Sequence, residues 1–110
     1  MDGARCSWCG ETVERGDGFH ASEPEGDRRA TFCRLEHVVP WALQGARWEP
    51  GSPPEPVPVK PGLGRCAECD RPVADRRVVI VRHRGEHRIP DAFCGVEHLL
   101  GWAKAGGRWR

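Results

Sequence analysis

The sequence is poor in the residues that build a large hydrophobic core. It has no tyrosine, three phenylalanines and one methionine among 110 residues, and only 38% of the chain is hydrophobic. A unit of about 45 to 50 residues buries too little apolar surface to be stable without disulfides or a metal. No apolar run approaches the roughly 20 residues of a membrane span. The residues before the first cysteine do not resemble a secretory signal peptide, so we expect a cytoplasmic protein.

An excess of one charge sign is also missing. The chain has 17 Lys and Arg against 16 Asp and Glu, a net charge of +1. Residues 1–50 carry six basic and nine acidic residues, a net of −3, whereas residues 62–110 carry ten and six, a net of +4. Only the second half is therefore suited to nucleic acid. The sequence lacks a phosphate-binding loop and a nucleophile–base pair, so we expect no enzyme.

All six cysteines belong to one pattern that occurs twice, Cys-x-x-Cys followed by Cys-x-x-x-His. The first copy consists of Cys6, Cys9, Cys33 and His37, and the second consists of Cys66, Cys69, Cys94 and His98. Both sulfurs of a Cys-x-x-Cys point into one concave knuckle, and Cys-x-x-x-His on a helix places two ligands one turn apart. Three thiolates and one imidazole complete the tetrahedral shell of zinc. The sequence predicts two structural Zn²⁺ ions with no open position for catalysis.

Six cysteines in a short chain are also compatible with three disulfides. A disulfide framework gives the paired histidines no role, so the repeated pattern favours metal sites. Thiols that bind metal are typical of a reducing compartment, which agrees with a cytoplasmic location.

The metal pattern lies within an internal duplication. The matching aromatic residues are Phe32 and Phe93, Trp41 and Trp102, and Trp48 and Trp109. The offset is 60 residues for the Cys-x-x-Cys pairs and 61 downstream, as expected of a repeated unit with one insertion or deletion. Residues 49–64 hold six of the ten prolines and predict a polyproline II spacer; a ligand for a proline-reading domain is the alternative. We predict a first finger at 1–48, a linker at 49–64 and a second finger at 65–110.

Each unit is predicted to contain a knuckle, a hairpin and a helix. The predicted strands cover 18–21 and 28–32 in the first unit, and 77–82 and 87–89 in the second. Each helix is predicted to begin at the third cysteine, where the helix dipole favours a thiolate. Pro40 should shorten the first helix.

This order is that of a treble-clef zinc finger. Phe32-Cys33 and Phe93-Cys94 at the predicted helix starts resemble the FCS-like fingers, which include the MYM and TRASH types and the short bacterial gyrase-inhibitor zinc proteins. That family usually ends in cysteine, whereas both copies here end in histidine. The resemblance implies a small zinc-stabilised α+β fold of two tandem treble-clef-like fingers, and such fingers bind proteins, DNA or RNA.

The tryptophans and arginines suggest two kinds of partner. Trp41 and Trp102 should shield the metal, while Trp48, Trp109 and Arg108 lie beyond the helices and are candidate anchors for another protein. We predict a non-enzymatic adaptor or regulator that binds a protein. The alternative is a DNA- or RNA-binding regulator that uses the second hairpin. Its candidate arginines are Arg76, Arg77, Arg82, Arg84 and Arg88.

Three histidines lie outside the metal pattern. We expect His20, His83 and His87 to be solvated strand residues, with a weaker alternative in which His83 and His87 form a second metal site.

Overall fold

The computed structural model describes residues 4–14, 16–52, 55–58, 63–73 and 77–107. Within these ranges the chain forms seven strands and two α-helices. In chain order they are β1 (Ala4–Arg5), β2 (Thr12–Val13), β3 (Phe19–Glu23), β4 (Arg28–Phe32), α1 (Val38–Leu43), β5 (Glu49–Pro50), β6 (Val78–Arg84), β7 (His87–Phe93) and α2 (Val96–Lys104). Short 3₁₀ turns cover Pro24–Gly26 and Leu35–His37. Neither of these helices has the length and hydropathy of a membrane-spanning segment.

Both predicted hairpins are present. β3 and β4 pair antiparallel from Phe19 opposite Phe32 to the 3₁₀ turn. β6 and β7 pair over seven residues each, so the second hairpin is longer than predicted. β7 continues through Pro90, which is tolerated because β7 lies at the edge of the sheet, where a missing N–H costs no ladder hydrogen bond.

The first helix is shorter than the second. α1 has six residues and α2 has nine. Pro40 lies in the first turn of α1, and the residues before that turn form a 3₁₀ segment. The ring of Pro40 can occupy the first turn of a helix but not its interior, so the helix cannot extend further back in α geometry. The predicted shortening is confirmed.

The two hairpins join in one five-stranded sheet with the order β5-β4-β3-β6-β7. The junction, which we call the seam, is the antiparallel pairing of β3 with β6. Hydrogen bonds extend it past the strand ends, because Gly18 O accepts from His83 N at 2.9 Å and Gly16 O accepts from Gly85 N at 2.8 Å. The first hairpin strand of one repeat, β3, therefore pairs with the first hairpin strand of the other, β6.

The seam has local twofold symmetry. The two hairpin registers align Ala21 of β3 with Ile80 of β6 as equivalent residues, since their partners Ala30 and Asp91 are themselves 61 residues apart. Ala21 and Ile80 also pair directly across the seam. A residue opposite its own equivalent marks a twofold axis, as in the isologous interface of a symmetric dimer.

The main core lies between one face of the sheet and the two helices. Phe32 and Phe93 are completely buried there, and each ring packs on a helix tryptophan with ring centroids 5.1 Å apart. The helices also contact each other. Gly107 follows α2 with φ of 66°, and a Cβ at this position would overlap the side chain of Leu35 from the first repeat. The two repeats therefore share one core on this face.

The opposite face of the sheet is covered by the segment between the repeats. Val79, Val81 and Ala92 form a second buried cluster, and Val57 packs against it. β5, which falls in the predicted linker, pairs with β4. The described part of residues 49–64 therefore lies against the sheet instead of standing free as a spacer. The boundaries 1–48 and 65–110 stay a prediction, although the sheet runs across both.

Candidate metal centres

Each Cys-x-x-Cys sits in a tight knuckle closed by a left-handed residue. Gly10 N donates to Cys6 O at 3.0 Å with φ of 79°, and Asp70 N donates to Cys66 O at 2.8 Å with φ of 62°. This conformation suits glycine, and aspartate tolerates it better than most residues. Such a tight turn places the two cysteine side chains of each pair on the same side of the backbone.

The knuckles are bound to the sheet at equivalent points. Ser7 N donates to Thr31 O at 2.6 Å, and Ala67 N donates to Ala92 O at 2.8 Å. Each contact lies two residues before the third cysteine of its own repeat. The sheet therefore carries the knuckle to the place where the chain leaves the hairpin for the helix.

The predicted ligands of the first repeat converge. Cys9 Sγ lies 3.6 Å from Cys33 Sγ, and His37 Nδ1 lies 3.6 Å from Cys6 Sγ and 3.3 Å from Cys33 Sγ. All four ligand atoms lie within 4.8 Å of one another. The first cluster is therefore a group that could hold a metal ion.

The second repeat reproduces this geometry. Cys69 Sγ lies 3.5 Å from Cys94 Sγ, and Cys66 Sγ lies 3.4 Å from His98 Nδ1. These four ligand atoms also lie within 4.8 Å of one another. No disulfide links the cysteines, which are all free thiols.

The size of both clusters fits a tetrahedral zinc ion. Bonds of about 2.3 Å to sulfur and 2.0–2.1 Å to nitrogen imply sulfur–sulfur edges of about 3.8 Å and sulfur–nitrogen edges of about 3.6 Å. The five distances given above, 3.3–3.6 Å, equal these edges or are slightly shorter, and all pairs lie within 4.8 Å. The donor set also fits, because soft thiolates with one imidazole select zinc over hard cations.

The first cysteine of each cluster has a lowered pKa. Burial raises the pKa of Cys6, but hydrogen bonds from backbone N–H groups and the His37 ring outweigh burial and lower it to about 6. The pKa of Cys66 is lowered to about 6 by the same balance of burial, backbone N–H groups and His98. Each knuckle therefore holds one thiolate in place before a metal binds.

The third cysteine of each cluster behaves in the opposite way, which corrects a sequence-based expectation. The pKa of Cys33 is raised to about 11 by burial and by the neighbouring thiols. The pKa of Cys94 is raised to about 11 by its hydrogen bond with Cys69, then by burial. Both cysteines were expected in a first helical turn, but helical structure begins two residues later, at Leu35 and Val96. The helix dipole therefore does not act on these sulfurs as predicted.

The helix tryptophans are buried beside the clusters. Trp41 is 2% exposed and packs edge-on against Phe32, and Trp102 is 3% exposed and packs against Phe93. Each phenylalanine directly precedes the third cysteine. The tryptophans thus fix the ligand-bearing segment through the core, which is a structural role.

The predicted partner-binding residues are only partly described. Trp48 is half-buried, packs edge-on against Trp41 at 5.0 Å and lies under the Arg28 guanidinium. Its ring therefore contributes to the main core more than it projects into solvent. Trp109 and Arg108 lie outside the described residues.

The structure also presents two exposed apolar side chains that the sequence analysis did not select. Trp8 is 44% exposed inside the first knuckle, and Leu43 is 63% exposed on α1. A groove of about 290 Å³ runs beside the knuckle and is lined by Ser7, Trp8, Trp41, Gln44 and Arg47. The sequence held one signal for it, because Trp8 corresponds to Glu68 in the second repeat.

The arginines of the nucleic-acid alternative do not form one surface. Arg77 pairs with Glu25 at 3.7 Å, and Arg88 donates two hydrogen bonds to Glu55 at 2.8 and 3.0 Å. Arg82 lies over the Phe19 ring, on the helix-facing side of the sheet, whereas Arg88 lies on the opposite side. Arg84 is exposed, and Arg76 lies outside the described residues.

Two of the three remaining histidines are not solvated as expected. His83 is 8% exposed, and its ring centroid lies 4.0 Å from that of His20 across the seam. His87 is exposed as expected, and its position opposite Arg84 places it on the other face of the sheet from His83. Alternation along the strands therefore rules out the suggested pair of His83 and His87 as a metal site.

Searches for similar proteins do not place the chain in a family. No protein-family model, curated protein or solved structure matched it. The assignment of a function therefore depends on the geometry of the clusters and of the surface around them.

Proposed function

We propose that the protein is a non-enzymatic adaptor whose two zinc ions are structural and whose first repeat binds another protein. Each cluster supplies three sulfurs and one nitrogen, which fill a tetrahedral shell and leave no position for a substrate. The order of knuckle, hairpin and helix supports a treble-clef finger of the FCS-like type in each repeat. Zinc would then stabilise a small core and fix the shape of the binding surface, without taking part in a reaction.

The observation that carries the protein-binding role is the exposed pair Trp8 and Leu43. The duplication provides an internal control, because the equivalent residues of the second repeat are Glu68 and Lys104, both of which occur at the surface. The same local structure therefore forms with charged residues at these two positions. Large apolar side chains exposed without a structural need are typical of protein interfaces.

The groove beside Trp8 suits a peptide segment better than a small molecule. Its lining combines the indole ring with the hydroxyl of Ser7, the amide of Gln44 and the guanidinium of Arg47. An aromatic surface with a few polar groups at its edge is the usual composition of a binding site for a protein partner.

Nucleic-acid binding through the second hairpin has less support. Intramolecular carboxylates already neutralise Arg77 and Arg88. Phosphate binding requires several cations along one surface, and Arg82 and Arg88 point to opposite faces of the sheet. This alternative is retained as an outcome of the test.

The test exchanges the two apolar residues for their counterparts in the second repeat. A variant with Trp8→Glu and Leu43→Lys should keep both metal ions and its fold, because the second repeat carries these residues. Affinity capture from native host extract, treated with nuclease, should recover a specific protein with the wild-type chain and lose it with the variant. Direct titration with the purified partner would then measure the loss, which we expect to exceed tenfold.

The matched control is Arg84→Glu, which changes an exposed arginine of the second hairpin and leaves the first repeat intact. Protein capture should survive in this control. Binding to duplex DNA or RNA that falls steeply with salt and is lost only in the arginine variant would contradict the proposal and favour the alternative.

A further inference from the structure

His20 and His83 form a pair at the seam between the repeats, with His83 buried and His20 half-buried. Their rings lie 4.0 Å apart and are tilted by 36°. His20 Nε2 is 3.1 Å from Asp17 O, while its buried Nδ1 has no hydrogen-bond partner among the described residues. Two imidazoles this close cannot both carry a proton without repulsion. This closeness therefore favours states in which at least one ring is neutral.

Residues 55–58, which we call the strap, close over this pair. They line a cavity of about 10 Å³ together with His20, Ser22, Val81, His83 and Arg88. Such a volume holds at most one water molecule. The strap thus covers the buried His83 and one side of the half-buried His20.

Two contacts hold the strap in place. The Glu55 carboxylate accepts two hydrogen bonds from the Arg88 guanidinium, a bidentate geometry that is stronger than a single ion pair. Val57 packs on the buried cluster of Val79 and Val81. One contact is ionic and one is apolar, so each can be removed separately.

The charges that face the histidines come from three elements. The strap provides Glu55, β7 provides Arg88, and β4 provides Arg29, which occupies the same face diagonally from His20 and donates to Ser52 O. Burial lowers the pKa of His83 to about 4, aided by His20 and Arg88 and opposed by Glu55. Burial is likewise the main cause that lowers the pKa of His20.

We propose that the strap is a proton-sensitive latch: it closes over the neutral histidine pair, and protonation of either ring releases it from the sheet. Release relieves the repulsion between a protonated ring, its neighbour and Arg88, and hydrates both imidazoles. It also exposes the apolar face formed by Val79 and Val81. This inference does not depend on the identity of the metal or of the protein partner.

Linkage gives the size of the effect. Closure lowers the pKa of His83 from 6.5 to about 4, so the stabilisation of the closed strap is complete above pH 6.5 and is lost as pH falls toward 4. Between pH 7.5 and 5.5 the ratio of open to closed strap should rise about tenfold through His83 alone. His20 adds to this change in the same direction.

The decisive variant is Glu55→Gln, because a latch and a static ion pair predict opposite results. If Glu55 acted only by its charge, removing it would lower the pKa of His83, since the carboxylate favours the protonated ring. If Glu55 holds the strap closed, its loss hydrates His83 and raises that pKa toward 6.5. NMR titration of the imidazole C–H resonances between pH 5 and 8 separates the two results.

The experiment uses the full-length, zinc-loaded protein. Wild-type His83 should show no midpoint above pH 5, whereas Glu55→Gln should bring its midpoint into the measured range. Glu86→Gln is the matched control, because Glu86 also acts on Arg88 but lies in the hairpin turn and not in the strap. Zinc content at each pH is checked by metal analysis, so that loss of metal is not read as release of the strap.

A second variant removes the apolar contact without changing charge. Val57→Ser should also raise the pKa of His83. If Glu55→Gln does not fold, the titration of Val57→Ser alone tests the latch. A His83 midpoint that remains below pH 5 in the folded variants overturns the proposal, as does an equal rise in Glu86→Gln.

Discussion

Replacement of Ile80 by alanine should destabilise both repeats together. Ile80 is completely buried and faces Ala21 across the seam, at the local twofold axis. An Ile→Ala change in a core costs about 2–5 kcal/mol, and the small alanine opposite cannot fill the cavity, so we expect the upper half of this range. Because the core contains residues of both repeats, the loss should be felt on both sides of the seam.

Urea unfolding at a fixed free zinc concentration measures this coupling. With a slope of about 1–3 kcal/mol per molar urea, the midpoint should fall by about 1–5 M. The indole N–H signals of Trp41 and Trp102 report the first and second repeats separately. Both should disappear at the same, lowered urea concentration.

Leu43→Ala is the control, because Leu43 is 63% exposed and its truncation should change stability by less than about 0.5 kcal/mol. Coupling of the repeats is refuted if the Trp41 signal of Ile80→Ala keeps its wild-type midpoint while the Trp102 signal shifts. That result would mean that the repeats are independent domains that only touch at the seam.

Three further outcomes follow from the described contacts. Because the pKa values of Cys33 and Cys94 are about 11, zinc binding at pH 7.5 should release at least one proton per site. The heat of zinc binding should therefore differ between buffers of different ionisation enthalpy, and equal heats would contradict this. Gly107→Ala should destabilise the fold by about 1 kcal/mol or more through its positive φ and overlap with Leu35, and Leu35→Ala should restore part of the loss in thermal unfolding. The isolated fragment 63–110 exposes the β6 edge and should self-associate in analytical ultracentrifugation, whereas a folded monomeric fragment would count against a shared sheet.

The parts of the structure that depend on local sequence were predictable. Each Cys-x-x-Cys folds back within a few residues, and the hairpins are set by turn residues between short strands, so the clusters and strands follow from short-range signals. Pro40 limits the first helix for the same local reason. The start of helical structure was less predictable, because one extended residue after each third cysteine, Arg34 or Gly95, is enough to remove the sulfur from the first turn.

The seam was not predicted, although the sequence carried a signal for it. Residues 78–81 are a continuous apolar run, Val-Val-Ile-Val, and all four are buried. A hairpin with one solvated face would alternate apolar and polar residues, so an unbroken run indicates a strand covered on both faces. What covers the second face could not be read locally, because the strap returns to the sheet through tertiary contacts, among them the contact of Glu55 with Arg88 and the packing of Val57.

The duplication separates what the fold requires from what it does not. The two repeats keep the same ligands, the same phenylalanine and the same helix tryptophan, which all lie in a cluster or in the core. They differ at some buried positions, such as Ala21 and Ile80, and also at two positions that are exposed or adjoin the strap: Trp8 has a charged counterpart, and the hairpin registers align His20 with Val79. A half-buried histidine at a strand position where the equivalent residue is valine is not needed for packing. The same scaffold accepts both residues, so the differences between the repeats, more than their shared residues, identify the positions where partner binding and proton sensitivity should be sought.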